Sequence, residues 1–309
     1  MATGTGKYER LLERCKGLPP IPTAVAWPCD ESSLRGAMDA AAKGLVVPIL
    51  VGLEKLIRET ASASGIDLGK VEIVEAADSH AAAAKAVALI REGRAELLMK
   101  GSLHSDEILG AVVARETGLR TGRRLSHAFL MDVPTYHKVL IVTDAAINIA
   151  PALEDKVDIV QNAIDLARTF GVERPKVAIL AAVETVNSKM PATLDAAALC
   201  KMAERGQIKG GLLDGPLAFD NAISRDAADI KGIKSEVAGD PDILLAPDLE
   251  AGNMMAKQLT FLANADSAGL VLGARVPVIL TSRADSVRSR IASSAVAVLA
   301  AHARRKAGG

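Results

Sequence analysis

The chain has 309 residues, 37 basic against 37 acidic side chains, and 50% hydrophobic content. This balance removes the global field that would favour nucleic acid or an anionic membrane. One Trp, two Tyr and four Phe are too few to build stacking platforms for single strands.

Residues 1–16 are polar and charged, without the apolar core of a signal peptide. No apolar run reaches the roughly 18 residues that would span a bilayer. A cytoplasmic protein is expected, with neither nucleic acid nor membrane as partner. The three cysteines, Cys15, Cys29 and Cys200, are far apart and form no C-x-x-C pair, so reduced thiols are expected. The five histidines show no metal-ligand spacing, and no metal or bound cofactor is expected.

Short apolar runs alternate with helix-like stretches along the chain. Strands are expected at Thr23–Trp27, Val46–Val51, Val71–Val74, Leu97–Met99, Val139–Thr143, Val177–Ala181, Gly211–Leu213, Ile243–Ala246 and Val276–Thr281. Helical spacing of apolar residues marks Ala81–Arg91, Leu153–Thr169 and Ala196–Glu204, and a last helix is expected over about Asp285–Arg304. The alternation implies βαβ units and an α/β fold with one or two mainly parallel sheets.

Ligands of open parallel sheets bind beyond the carboxyl ends of the strands, so the segments after each strand are the places to look for chemistry. Leu97–Met99 runs into Lys100-Gly-Ser-Leu-His-Ser105, where Ser105 suits a helix cap and Lys100 suits either phosphate or solvent. Gly211–Leu213 leads to Asp214 and Asp220, which fit substrate-orienting acids or turn and cap residues. After Ile243–Ala246, Asn253 and Lys257 share one helix face. Val276–Thr281 leads into Ser282-Arg283-Ala284-Asp285-Ser286: a hydroxyl and a guanidinium just before a helix that Asp285 or Ser286 can cap. Helix N-termini and arginine forks both bind anions, but a capped helix with a surface arginine fits the same residues. No P-loop, dinucleotide fingerprint or nucleophile elbow is present.

In this order, six segments together resemble the phosphate acetyltransferase and phosphate butyryltransferase family over nearly the whole chain. They are Lys100–Ser105, Ser126–Met131, Leu213–Asp220, Gly239–Leu244, Pro247–Asn253 and Leu280–Ser286. Cys15–Pro20 and Trp27–Asp30 are similar to the acyltransferase portion of proteins that also carry an enoyl-CoA hydratase domain, for which this chain has no room. The resemblance implies two three-layer α/β/α domains with an interdomain cleft, of the isocitrate and isopropylmalate dehydrogenase kind. Residues 1–137 with 277–309 would form the first domain, and residues 138–276 an inserted second one. It also implies a homodimer and the reaction acyl-CoA plus phosphate giving acyl phosphate plus CoA, with CoA as substrate.

On that resemblance Ser282, Arg283 and Asp285 are the catalytic candidates, and Lys100, Ser102, His104, Arg124, Asp214, Asn253 and Lys257 the substrate-binding ones. Ser282 and Arg283 match the family's serine-arginine pair. Ser289 stands where acetyl-specific members have an aspartate thought to act as base, which leaves Asp285 as a replacement. Ala111 and Phe261 stand where arginines are expected; Lys100, Arg123, Arg124 and Lys257 are available to compensate, and Phe261 would favour a longer acyl chain. Two other readings remain: a metal-dependent dehydrogenase on the same fold, and a CoA-binding module without catalysis.

Overall fold

The computed structural model describes residues 6–281 and 285–306, in two compact units. One unit comprises residues 8–123 and the chain from 268 onward; the other comprises residues 124–267 and the chain up to Lys7.

The chain opens with α1 (Lys7–Cys15) and then alternates through β1 (Ile21–Ala26), α2 (Glu31–Ala42), β2 (Val46–Gly52), α3 (Glu54–Ala63), β3 (Glu72–Glu75), α4 (Ser79–Arg91), β4 (Leu97–Lys100) and α5 (Ser105–Val113). Every residue of β4 is buried, and all of β1 except Pro22. These strands therefore read as continuous apolar runs rather than alternating ones, as parallel strands covered on both faces do. Helix starts are set by side chains: the carboxylates of Asp30 and Asp78 accept from the N–H groups of Ser33 and Ala81, each at 2.8 Å.

The second unit follows as β5 (Ser126–Asp132), β6 (Leu140–Thr143), α6 (Leu153–Thr169), β7 (Lys176–Leu180), α7 (Pro191–Glu204), β8 (Leu212–Leu217), α8 (Phe219–Ile223), α9 (Arg225–Ile230), β9 (Ile243–Leu245) and α10 (Leu249–Leu262). Its strands lie in the order β5-β6-β9-β7-β8, with only β5 antiparallel to its neighbour. The chain then returns to the first unit through β10 (Asp266–Leu272), β11 (Val278–Ile279) and α11 (Val287–Lys306). That unit's order is β3-β2-β1-β4-β11-β10; β11 runs parallel to β4 and antiparallel to β10. No helix among the described residues is long and apolar enough to cross a membrane.

All nine expected strands are present, and the fold is α/β with mostly parallel sheets. The strands β5 and β10 were not anticipated. Both enter antiparallel pairs that need no helical crossover, so neither shows the alternation that reveals the others. They also move the limits between units, which fall at 123/124 and 267/268 rather than at 137/138 and 276/277. The pairing of β5 with β6, in register at Ala128 and Thr143, keeps residues 126–132 with the second unit. Leu270, paired with Ile279, likewise draws β10 to the first.

Candidate active site

In the first unit, the carboxyl end of β4 is folded tightly onto that of β1. The N–H groups of Gly101 and Ser102 donate to the carbonyls of Ala26 and Trp27 at 2.8 Å each, and Ser102 Oγ donates to Trp27 O at 2.9 Å. A Cβ on Gly101 would lie 2.4 Å from Ala26 O, so glycine here permits a strand-to-strand approach. His104, not Ser105, precedes the first turn of α5, and its N–H donates to Glu107 Oε2 at 2.6 Å. Lys100 is buried, with Nζ donating to Gly101 O at 3.3 Å.

Beside Lys100 lies a cavity of about 10 Å³ whose lining includes Ser33, Ile279, Thr281, Arg290 and Ser294. That is room for about one water and not for a phosphate. It does place two cationic side chains, Lys100 and Arg290, next to the residue that precedes Ser282. Arg290 drew no attention in the sequence, because it lies inside a helical run with no motif around it.

Ser282 and Arg283 lie outside the described residues. Asp285 is described and lies one residue before the cap of α11. The cap is Ser286, whose Oγ accepts from Ser289 N at 3.0 Å and donates to Ser289 Oγ at 3.1 Å. Ser289 is thus engaged at the helix start by the Ser286 hydroxyl.

In the second unit the polar groups gather at the carboxyl end of β6. Asp144 is 2% exposed, and its Oδ1 accepts from Ala146 N at 2.9 Å and Ile147 N at 3.1 Å. Asn148 is 3% exposed; its Nδ2 donates to Asp144 Oδ2 and, at 2.8 Å, to Leu125 O. Arg124 Nε donates to Asn148 Oδ1 at 2.7 Å, and Asn253 Nδ2 donates to Ala145 O at 2.9 Å. Arg124 and Asn253 therefore meet the same loop from different elements. A Cβ on Gly252 would lie 2.3 Å from Asp144 O, so the first turn of α10 is seated directly on this loop. Lys257, one turn beyond Asn253, is exposed and has no partner among the described residues.

Asp144 and Asn148 escaped the sequence reading; the only signal was an aspartate directly after an apolar strand, with an asparagine four residues on. Asp214 sits differently from expectation. β8 runs on through Gly215-Pro216, so Asp214 lies within the strand, paired with Ala178, and accepts from Gly215 N at 2.8 Å. Phe261 is 73% exposed in the last turn of α10, about 12 Å along the helix from Asn253.

Burial pushes the thiols of Cys15 and Cys29 up to about 11 and that of Cys200 to about 12. Burial also lowers the His127 imidazole to about 4, against the pull of the Asp144 carboxylate; its Nδ1 has no partner among the described residues. No cluster of three or more His, Cys, Asp or Glu among the described residues suits a metal ion.

Residues 78–298 match the family described as "Phosphate acetyl/butaryl transferase". A phosphate acetyltransferase of Rhizobium meliloti is 65% identical over 301 residues, 97% of this chain and 95% of the relative. The chain belongs to the phosphate acetyl/butyryltransferase family. It is a phosphate acyltransferase. A phosphate butyryltransferase of Clostridium beijerinckii is 44% identical, covering 97% of this chain and 99% of the relative. Among solved structures, a branched-chain phosphotransacylase from Enterococcus faecalis superposes with a TM-score of 0.80 at 30% identity, over 91% of this chain and 99% of that one. A 4-hydroxythreonine-4-phosphate dehydrogenase from Klebsiella pneumoniae, with a TM-score of 0.52 at 13% identity over 91% and 99% of the two chains, shares the fold alone.

Proposed function

We propose that this chain converts acyl-CoA and phosphate into acyl phosphate and CoA, with acetyl as the preferred acyl group, by direct attack within a ternary complex. The observation that carries the acyl choice is the 65% identity, over 97% of the chain, to a phosphate acetyltransferase. A phosphate oxygen attacks the thioester carbonyl, an oxyanion forms, the C–S bond breaks, and the thiolate leaves as CoA. The thiolate, not the thiol, is the nucleophilic form of cysteine, and thiols held at about 11 to 12 are protonated at neutral pH. That favours direct attack over an acyl-cysteine intermediate.

In this reading Arg283 neutralises and orients the phosphate. Ser282 donates to the oxyanion or the leaving sulfur. Asp285, directly before the cap residue Ser286, takes the proton from phosphate. Lys100, Arg124, Asn253 and Lys257 bind the anionic parts of the substrates. Ser102, His104 and Asp214 complete the substrate-binding set in this reading; Ser102 Oγ and the Asp214 carboxylate also bond at the strand ends, and the His104 N–H at the start of α5.

The second partner is another copy of the chain. Phe219, Met254, Phe261 and Leu262 are 45%, 58%, 73% and 81% exposed, and three of them border a cavity of about 640 Å³ also lined by Leu180, Met255 and Leu259. Apolar knobs beside an apolar hole on one face are what a twofold, self-complementary contact requires. Light scattering should give the mass of a dimer, and Leu262→Asp a monomer; a monomeric parent protein refutes this pairing.

The function is tested by phosphate-dependent release of CoA thiol from acetyl-, propionyl- and butyryl-CoA. Acetyl-CoA should be turned over fastest, and Arg283→Ala should lower phosphate use at least ~100-fold. No turnover of any of the three would sink the proposal, and unchanged kinetics in Arg283→Ala would move the phosphate site elsewhere.

A further inference from the structure

Arg124 is held far more firmly than a half-exposed arginine needs. Its N–H donates to Asp158 Oδ2 at 2.8 Å, and its carbonyl accepts from Asn162 Nδ2 at 3.0 Å. Its Nη1 lies 3.1 Å from Asp155 Oδ1, and Nε is 2.7 Å from Asn148 Oδ1. Asp155, Asp158 and Asn162 come from one face of α6, at the three- and four-residue steps that bring helical side chains together. For a surface ion pair Asp155 would suffice, and such pairs contribute little.

Asn148 adds something different. An asparagine amide has two donor hydrogens and one acceptor oxygen. Here both donor bonds are made to fixed groups, Leu125 O and the buried Asp144 carboxylate, so Oδ1 faces Arg124 in one orientation only. Asp144 is fixed in turn by the N–H groups of Ala146 and Ile147. The guanidinium plane is thus set by a buried chain of bonds, Asp144 to Asn148 to Arg124. Nη2 is left without a partner among the described residues, on a side chain that is 52% exposed. A planar donor pre-set in this way loses less freedom when it meets a phosphate oxygen.

We infer that Asn148, braced by Asp144, is a positioning residue that presents Arg124 to a phosphate group of the substrates. The inference rests on the reading of Arg124 as a substrate-binding residue, and it names the side chain through which that binding is set. Phosphate groups enter the reaction from CoA and from orthophosphate, and separate KM values for acyl-CoA and for phosphate identify which one Arg124 meets.

The test is a double-mutant cycle on the full-length enzyme. Arg124→Ala should raise one of the two KM values by roughly tenfold or more, the usual scale for a lost charged hydrogen bond. Asn148→Ala should raise the same KM by a smaller factor with kcat little changed, and the double variant should be no worse than Arg124→Ala alone. Thermal unfolding of each variant is followed in parallel. If Asn148→Ala does not fold, Asn148→Ser carries the cycle. An Asn148 variant that leaves both KM values unchanged, or adds its full effect on top of Arg124→Ala, overturns the positioning role while Arg124 binding stands. An Arg124→Ala enzyme with both KM values unchanged removes the reading on which the inference rests.

Discussion

The two units share one construction, parallel strands covered by helices, yet finish their strand ends in opposite ways. In the first unit β4 ends against β1 by backbone contact, with Gly101 and Ser102 bonded to Ala26 and Trp27 and the buried cation Lys100 beside them. In the second unit β6 ends in a satisfied polar network in which Asp144 and Asn148 are almost wholly buried. Backbone contact there fixes position by exclusion of a side chain, whereas the polar network fixes direction through bonds that each point one way. The difference suits a phosphate acyltransferase, which must hold charged groups at set orientations.

That contrast can be strained from either side. The largest effect is expected at the two close glycines. Gly101→Ala would put a Cβ 2.4 Å from Ala26 O, and Gly252→Ala one 2.3 Å from Asp144 O, both backbone atoms that cannot swing aside. Each should lower stability by about 3 kcal/mol in urea unfolding. Only Gly252→Ala should also raise a substrate KM, because only it disturbs the Asp144 loop. A Gly101→Ala protein as stable as the parent would show that the β1–β4 contact gives way more easily than its geometry implies.

An effect of similar size concerns pH. His127 is held at about 4 in the fold against an ordinary value of 6.5. Between these values the unfolded chain binds a proton that the folded one refuses, so stability is complete above pH 6.5 and falls as pH drops toward 4. The loss is on the order of 3 kcal/mol, taking 1.36 kcal/mol for each pH unit of difference. His127→Leu should flatten the stability profile over this window. A profile as steep as that of the parent would assign the acid sensitivity to other groups.

What the sequence revealed depended on local repetition. α6 was expected over Leu153–Thr169 and occupies those residues, because its apolar positions recur at helical spacing over seventeen residues. β8 is expected only to Leu213 from its short apolar run, but it continues through Gly215-Pro216 to Leu217, so Asp214 lies within the strand and not beyond it. Asn253 was recognised from its helix face, but its partner Ala145 lies 108 positions away in sequence. Asp144 and Asn148 gain their roles only from burial and from Arg124, and a single sequence records neither.

The place of β11 has a consequence for how the protein comes into being. Leu98 and Met99 find their parallel neighbours, Val278 and Ile279, only when nearly the whole chain exists, and α11 packs on α2 later still. Residues 124–267, by contrast, form a contiguous stretch that can collapse while synthesis continues. One flank of β4 therefore stays open on the ribosome until the last strand arrives, a period in which apolar backbone is exposed to other chains. Truncation before Val278 removes a strand from between β4 and β10, not a dispensable tail.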